Sequence, residues 1–124
     1  MTTTQALDVA DATGSGAGWD ITATSTTFTT GSVTLSTTAT TVQSAPTRAC
    51  DAGSTCTLAT NSVSYPYTLP AGASAPTATK VFNAAVNTGQ GDQTATVTWQ
   101  LAIPSSTAAG TYTSTWTLSL VSGP

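Results

Sequence analysis

The sequence predicts an all-β protein, a single antiparallel β-sandwich of about seven to nine strands spanning residues 1–124. Three observations predict it. Apolar residues alternate with polar ones along several segments, a period of about two rather than the 3.6 of a helix. Threonine and serine supply 31 and 14 of the 124 residues, and the branched Cβ of threonine suits a pleated surface better than a helix. Charge is sparse while 39% of the residues are hydrophobic, a balance that favours a packed core over disorder.

The elements follow in chain order. Residues 6–9 form a short alternating strand, and residues 19–23 another, with Trp19, Ile21 and Ala23 on one parity. Phe28 falls on the other parity, so a bulge or turn separates it from them before a candidate strand at 28–35, itself cut by the turn signal Gly31-Ser32. Residues 63–69 alternate correctly, but Pro66 donates no ladder hydrogen bond, which predicts an edge strand or an interruption there. Residues 71–78 read as a long connection and 79–86 as a strand. Gly89-Gln90-Gly91-Asp92 reads as a turn. The two clearest strands come last. Val97, Trp99, Leu101 and Ile103 oppose Thr96, Thr98 and Gln100. After a connection at 104–110, Tyr112, Ser114, Trp116, Leu118 and Leu120 oppose Thr111, Thr113, Thr115, Thr117 and Ser119. No segment carries a helical stripe of useful length, and no internal repeat or second domain is evident.

Composition argues against several functions. Lys and Arg number 2 against 5 acidic residues, all aspartate, for a net charge of −3, so there is no basic patch to neutralise a nucleic-acid backbone. No apolar run is long enough to span a bilayer. Histidine is absent, which removes the commonest metal ligand and general base and with it the Ser-His-Asp arrangement. Lys80 sits in no serine-hydrolase motif. The glycine-rich segment 14–18 lacks the lysine of a phosphate-binding loop and leads into a strand rather than a helix. Asp8, Asp11 and Asp20 are the nearest anionic group in sequence, but their spacing matches no calcium loop and no carboxylate pair has the context of a glycosidase. The expectation is a protein that is not an enzyme, without metal or cofactor.

Cys50 and Cys56 bracket the loop Cys-Asp-Ala-Gly-Ser-Thr-Cys. With no histidine and no second cysteine pair, a structural disulfide in an extracellular protein is the favoured reading over a metal or redox site. The first residues lack the basic and apolar regions of a signal peptide, so secretion is inferred from composition and the cysteines, and the sequence is read as a mature chain.

Two segments carry a family resemblance. Asp11, Gly14, Gly16, Gly18 and Trp19 follow the pattern Asp-x-x-Gly-x-Gly-x-Gly-Trp, and Trp19-Asp20-Ile21 is a variant of Trp-x-Leu. Near the other end, Trp116-Thr117-Leu118 matches Trp-x-Leu directly, in the context Gly110-Thr111-Tyr112 through Val121-Ser122-Gly123-Pro124. Together they resemble the WxL domain of Gram-positive bacterial cell-surface proteins. The resemblance implies a secreted, extracellular β-domain that associates noncovalently with peptidoglycan or with other cell-surface proteins. Trp99-Gln100-Leu101 has the same form without the preceding context.

Parity places Trp99 and Trp116 with the core aliphatics, whereas the glycine-rich approach to Trp19 leaves it a candidate surface contact. Rows at Thr22, Thr24 and Thr26, at Thr94, Thr96 and Thr98, and at 111–117 predict polar strand faces. An ice-binding ladder would need these rows in one flat array. The same low-charge strands suit strand addition at exposed edges. The sequence therefore predicts a structural or attachment domain of the bacterial cell wall or surface. A self-assembling homo-oligomer, as in a filament or surface layer, and a carbohydrate-binding module remain the alternatives.

Overall fold

Alternating segments become strands in the computed structural model, which describes residues 1–124. In chain order they are β1 (Thr2–Asp11), β2 (Trp19–Thr26), β3 (Thr40–Val42), β4 (Thr47–Cys50), β5 (Tyr67–Thr68), β6 (Ala71–Gly72), β7 (Thr79–Ala84), β8 (Gly91–Leu101) and β9 (Trp116–Ser122). They build two sheets, one of five strands and one of four, mostly antiparallel. The fold is an all-β sandwich. No helix is long and apolar enough to cross a membrane.

In the larger sheet β8 is the hub. β1 pairs with it antiparallel from Thr2 opposite Gln100 to Asp11 opposite Gly91, with no break in register. The other flank of β8 is shared by β4 near its start and β3 near its end, and β5 continues from β3. In the smaller sheet β2 is the hub. β9 lies along one flank in continuous antiparallel register. β7 and then β6 share the other flank, β6 in parallel, and the β7 ladder slips between Ile21 and Thr22. β1 and β9 are thus edge strands, each paired on one side only.

The inward parity of each long strand meets in one core. β2 supplies Trp19, Ile21 and Ala23, β7 supplies Phe82 and Ala84, and β8 supplies Ala95, Val97 and Trp99. Leu69 and Ala59 enter from loops. Full burial of aliphatic and aromatic side chains of this size contributes about 1.5–3 kcal/mol each. Segment 57–65 seals one side of the sandwich. Its backbone is bonded to Gln90 and to the buried side chain of Gln93 at the β8 end, and to Asn83 of β7, while the Tyr65 hydroxyl donates to the Val81 carbonyl at 2.6 Å.

The disulfide and the interruption at Pro66 form as expected, while other sequence expectations resolve differently. The strand expected from Tyr112 begins only at Trp116, because Thr113 makes an isolated bridge with Thr29 instead. Residues 28–35 form no strand; Thr29 bridges Thr34 across the Gly31 turn. The 63–69 segment is interrupted at Pro66, after a cis Tyr65–Pro66 bond, and only Tyr67–Thr68 pairs. Ile103 lies beyond β8 and is exposed. The disulfide joins Cys50 to Cys56. The row Thr94, Thr96 and Thr98 lies on the larger sheet and the β2 and β9 rows on the smaller, where residues 111–115 precede β9 and Thr24 is buried with its hydroxyl on the Pro76 carbonyl at 2.6 Å, so the three rows form no common flat array.

Candidate functional site

The region carrying the two Trp motifs begins where β1 ends. Asp11 Oδ1 accepts hydrogen bonds from the Thr13 backbone N–H at 3.0 Å and the Thr13 hydroxyl at 2.7 Å. Those bonds, the hydroxyl foremost, hold the Asp11 carboxyl below its ordinary pKa. The chain then turns through the glycine segment into β2. Gly18 has φ +75°, and a Cβ there would stand 2.4 Å from the Ala84 carbonyl oxygen, so only glycine lets β2 start against the end of β7.

Trp19 enters the core directly after that turn and is only 4% exposed. This corrects the expectation of Trp19 as a surface contact. Its Nε1–H donates to the Gly89 carbonyl at 2.9 Å, and its ring leans on Phe82 at 5.8 Å between centroids. The indole polar atom is satisfied internally, so burial carries no unpaired donor. The sequence marks Gly89 as part of a turn but carries no sign of its second role. Its φ is +75°, and a Cβ would lie 2.6 Å from Trp19 Nε1 and 2.4 Å from the Ala84 Cβ.

The second motif lies beside the first. β2 and β9 are hydrogen-bonded neighbours, with Trp19 opposite Ser122, Ala23 opposite Leu118 and Ser25 opposite Trp116. Trp116 is half-buried and meets Trp99 edge-on at 4.9 Å and Phe28 at 6.2 Å. Trp99 is 2% exposed, and its Nε1–H donates to Gln5 Oε1 on β1 at 3.0 Å. Leu118 packs half-buried against the core. The motif residues Asp11, Gly18, Trp19 and Leu118 also border a groove between β1 and β9. It consists of two adjoining cavities of about 240 and 250 Å³ that share Val9 and Leu120 as lining. Gly14 and Gly16 shape the loop above it, Gly16 through its carbonyl, which accepts from Asn87 N–H at 2.8 Å.

The aspartates do not gather as their order in the sequence suggests. Asp20 lies on β2 with Oδ2 3.6 Å from Lys80 Nζ, and Asp11 caps its own turn. The cluster that forms is Asp8, Asp51 and Asp92, whose carboxylate oxygens come within 4.8 Å of one another. Register explains it. Asp8 sits opposite Thr94 and Asp92 opposite Ala10, so the two acids are diagonal neighbours on one face, while Asp51 N–H bonds the Asp92 carbonyl. The Thr94 hydroxyl donates to Asp51 at 2.5 Å and lowers its pKa. Asp92 is pushed up, first by its hydrogen bond with Asp51, then by desolvation and by the charges of Asp8 and Asp51. Three surface carboxylates fall short of the six to eight oxygens calcium takes. No carboxylate here faces a nucleophile or an enclosed cavity.

No family model, curated protein or solved structure matches the chain.

Two outcomes follow from this geometry. Gly89→Ala forces a Cβ against Trp19 and imposes left-handed backbone strain of about 1–2 kcal/mol before any clash. Urea unfolding should show a loss at least that large, with Trp19 fluorescence shifting red; an unchanged midpoint would contradict the packing. For Asp92 the folded pKa lies above the unfolded one, so its contribution to stability is present in acid and lost as pH rises through the folded value. Asp92→Asn should therefore raise Tm at neutral pH, with the gain shrinking as pH falls through the carboxylate range. A gain independent of pH would contradict the cluster.

Proposed function

We propose that this chain is a non-enzymatic, secreted domain of the bacterial cell surface, resembling a WxL domain, that attaches to the wall or to surface proteins. The observation that carries the reading is the juxtaposition of its two motifs. Trp19 and segment 116–118, far apart in the sequence, lie on the adjacent strands β2 and β9 at opposite ends of their shared ladder, and Asp11, Gly18, Trp19 and Leu118 line one groove. A pair of Trp-x-Leu-like segments recurring by chance would have no reason to share a ladder. The glycines between Asp11 and Trp19 serve the same unit, because they bring β1 round to the start of β2 and leave the groove open above Val9.

The chemistry of the surface supports binding rather than turnover. Asp11 caps a turn and Asp8, Asp51 and Asp92 cluster on an open sheet face, whereas Asp20 is buried with one oxygen 3.6 Å from Lys80 Nζ and the other unpaired. A carbohydrate-binding role has less support, because Trp19 and Trp99 are buried and offer no ring face to a sugar, and the half-buried Trp116 packs against Trp99 and Phe28. Self-association has one observation in its favour, the long β1 edge, which carries no lysine, proline or bulge to discourage pairing.

Co-sedimentation tests the reading. Purified protein should be retained by peptidoglycan sacculi or by sacculi that still carry their noncovalent surface proteins, and should stay in the supernatant without them. Absence of retention on both across physiological pH would overturn it. Light scattering that reports growing assemblies in the protein alone would favour the self-assembling subunit instead.

A further inference from the structure

The two long sides of the sandwich are finished differently. On the β7 side, segment 57–65 runs along the gap between the sheets, with its backbone hydrogen-bonded to groups of both. On the β1–β9 side nothing occupies the equivalent place. The gap is the groove of two adjoining cavities, floored by Leu7, Val9, Ile21, Leu118 and Leu120. Leu120, opposite Ile21 on the core-facing side of β9, is nevertheless 58% exposed, a cost for an apolar side chain on that face.

Both rims of that groove are strand edges. β1 pairs only with β8 and β9 only with β2, so the alternate N–H and C=O groups of ten and seven residues face outward unpaired. The rims run in the same direction: residues 6–9 of β1 stand across from 118–120 of β9, and 9–11 across from 120–122. A single extended segment can therefore keep one orientation relative to both along the whole groove. Charge is one-sided as well. Asp11 lines one end of the groove, with its carboxylate held by Thr13, and Asp8, Asp51 and Asp92 cluster on the outer face of the same half of β1.

We propose that the groove is a strand-acceptor site for an extended segment of a partner protein, which hydrogen-bonds to the free edge of β1 and lays alternate apolar side chains over Leu118 and Leu120, with a basic residue at the end that meets Asp11. A strand satisfies both requirements of the site at once: main-chain groups meet the unpaired edge, and period-two side chains match the apolar floor. A helix would meet only the second, and a small apolar ligand would leave the edges unpaired. The inference rests on the protein-association arm of the proposed function and names the chemistry of the partner.

The test uses the 15N-labelled protein and two synthetic peptide pools of about nine residues, a usual strand length. Both pools contain valine, isoleucine, threonine and serine with a lysine at one end. In one pool apolar and hydroxyl residues alternate, and in the other the same residues are grouped in blocks. The alternating pool should shift amide resonances of β1 and β9, with at least about tenfold weaker effects from the blocked pool. Leu120→Lys should abolish the shifts at unchanged Tm, while Thr117→Lys, exposed on the other face of β9, should leave them intact. Leu120→Ser replaces the lysine variant if that one lowers Tm. Asp11→Asn should weaken binding about threefold, as expected of an exposed ion pair. Equal shifts from both pools, shifts confined to other strands, or indifference to Leu120→Lys and Leu120→Ser would overturn the proposal. So would β1 shifts that appear without peptide as mass doubles, since a second copy then covers the edge. Sacculus retention without peptide binding removes this inference and leaves surface attachment standing; peptide binding without sacculus retention does the reverse.

Discussion

The indole N–H of Trp19 ends on the carbonyl of Gly89, at the turn where the chain leaves β7 in one sheet and enters β8 in the other. That bond is buried, and the ring that makes it fills the space between Phe82 and Ala84. Its geometry depends on two glycines with positive φ. Gly18 lets the chain approach the Ala84 carbonyl, and Gly89 leaves room for the indole. The joint thus fixes where β2 starts, and with it the register of every strand in the smaller sheet, because β7, β6 and β9 all pair with β2. The larger sheet is tied to it a few residues later, where β8 begins.

With β2 placed this way, β9 lies along its outer flank and the two Trp motifs become neighbours. Trp116 then reaches Trp99 on β8, so the second motif closes the far end of the sandwich as Trp19 closes the near end. Edge-to-face aromatic pairs add about 0.5–1.5 kcal/mol beyond their burial. The motif tryptophans work as architecture rather than as contact residues. What they leave to a partner is the space between the strands they position, the groove along β1 and β9.

Much of this was legible in the sequence, for a physical reason. Period-two alternation is clearest where a strand is long and one face is buried, as along β8; in β1, β2, β7 and β9 it is carried by residue type, while burial is sparse in β1 and β9 and covers both faces of β2 and of the second half of β7. The strands β3 to β6 have two to four residues each, too few for alternation to stand out from a threonine-rich background, and their pairing is decided by the neighbours they happen to meet. The parity of Trp19 with Ile21 and Ala23 already pointed to the core; the glycines beside it suggested a loop end instead, because glycine marks both turns and close approaches. Asp8, Asp51 and Asp92 could not be grouped from sequence, since antiparallel register rather than spacing brings them together. Nor could the groove be foreseen. It depends on which strands become edges, and that is fixed by topology.

The central claim is that β1 and β9 present unpaired edges across an apolar groove while β2 and β8 are locked inside their sheets. Residue-resolved hydrogen exchange on the free protein tests this most directly. Along β1 and β9 the exchange should alternate, with amides bonded to β8 or β2 protected and those facing the groove side exchanging rapidly, and it should be slow throughout β2 and β8. Uniform protection along β1 and β9 in the monomer would contradict it.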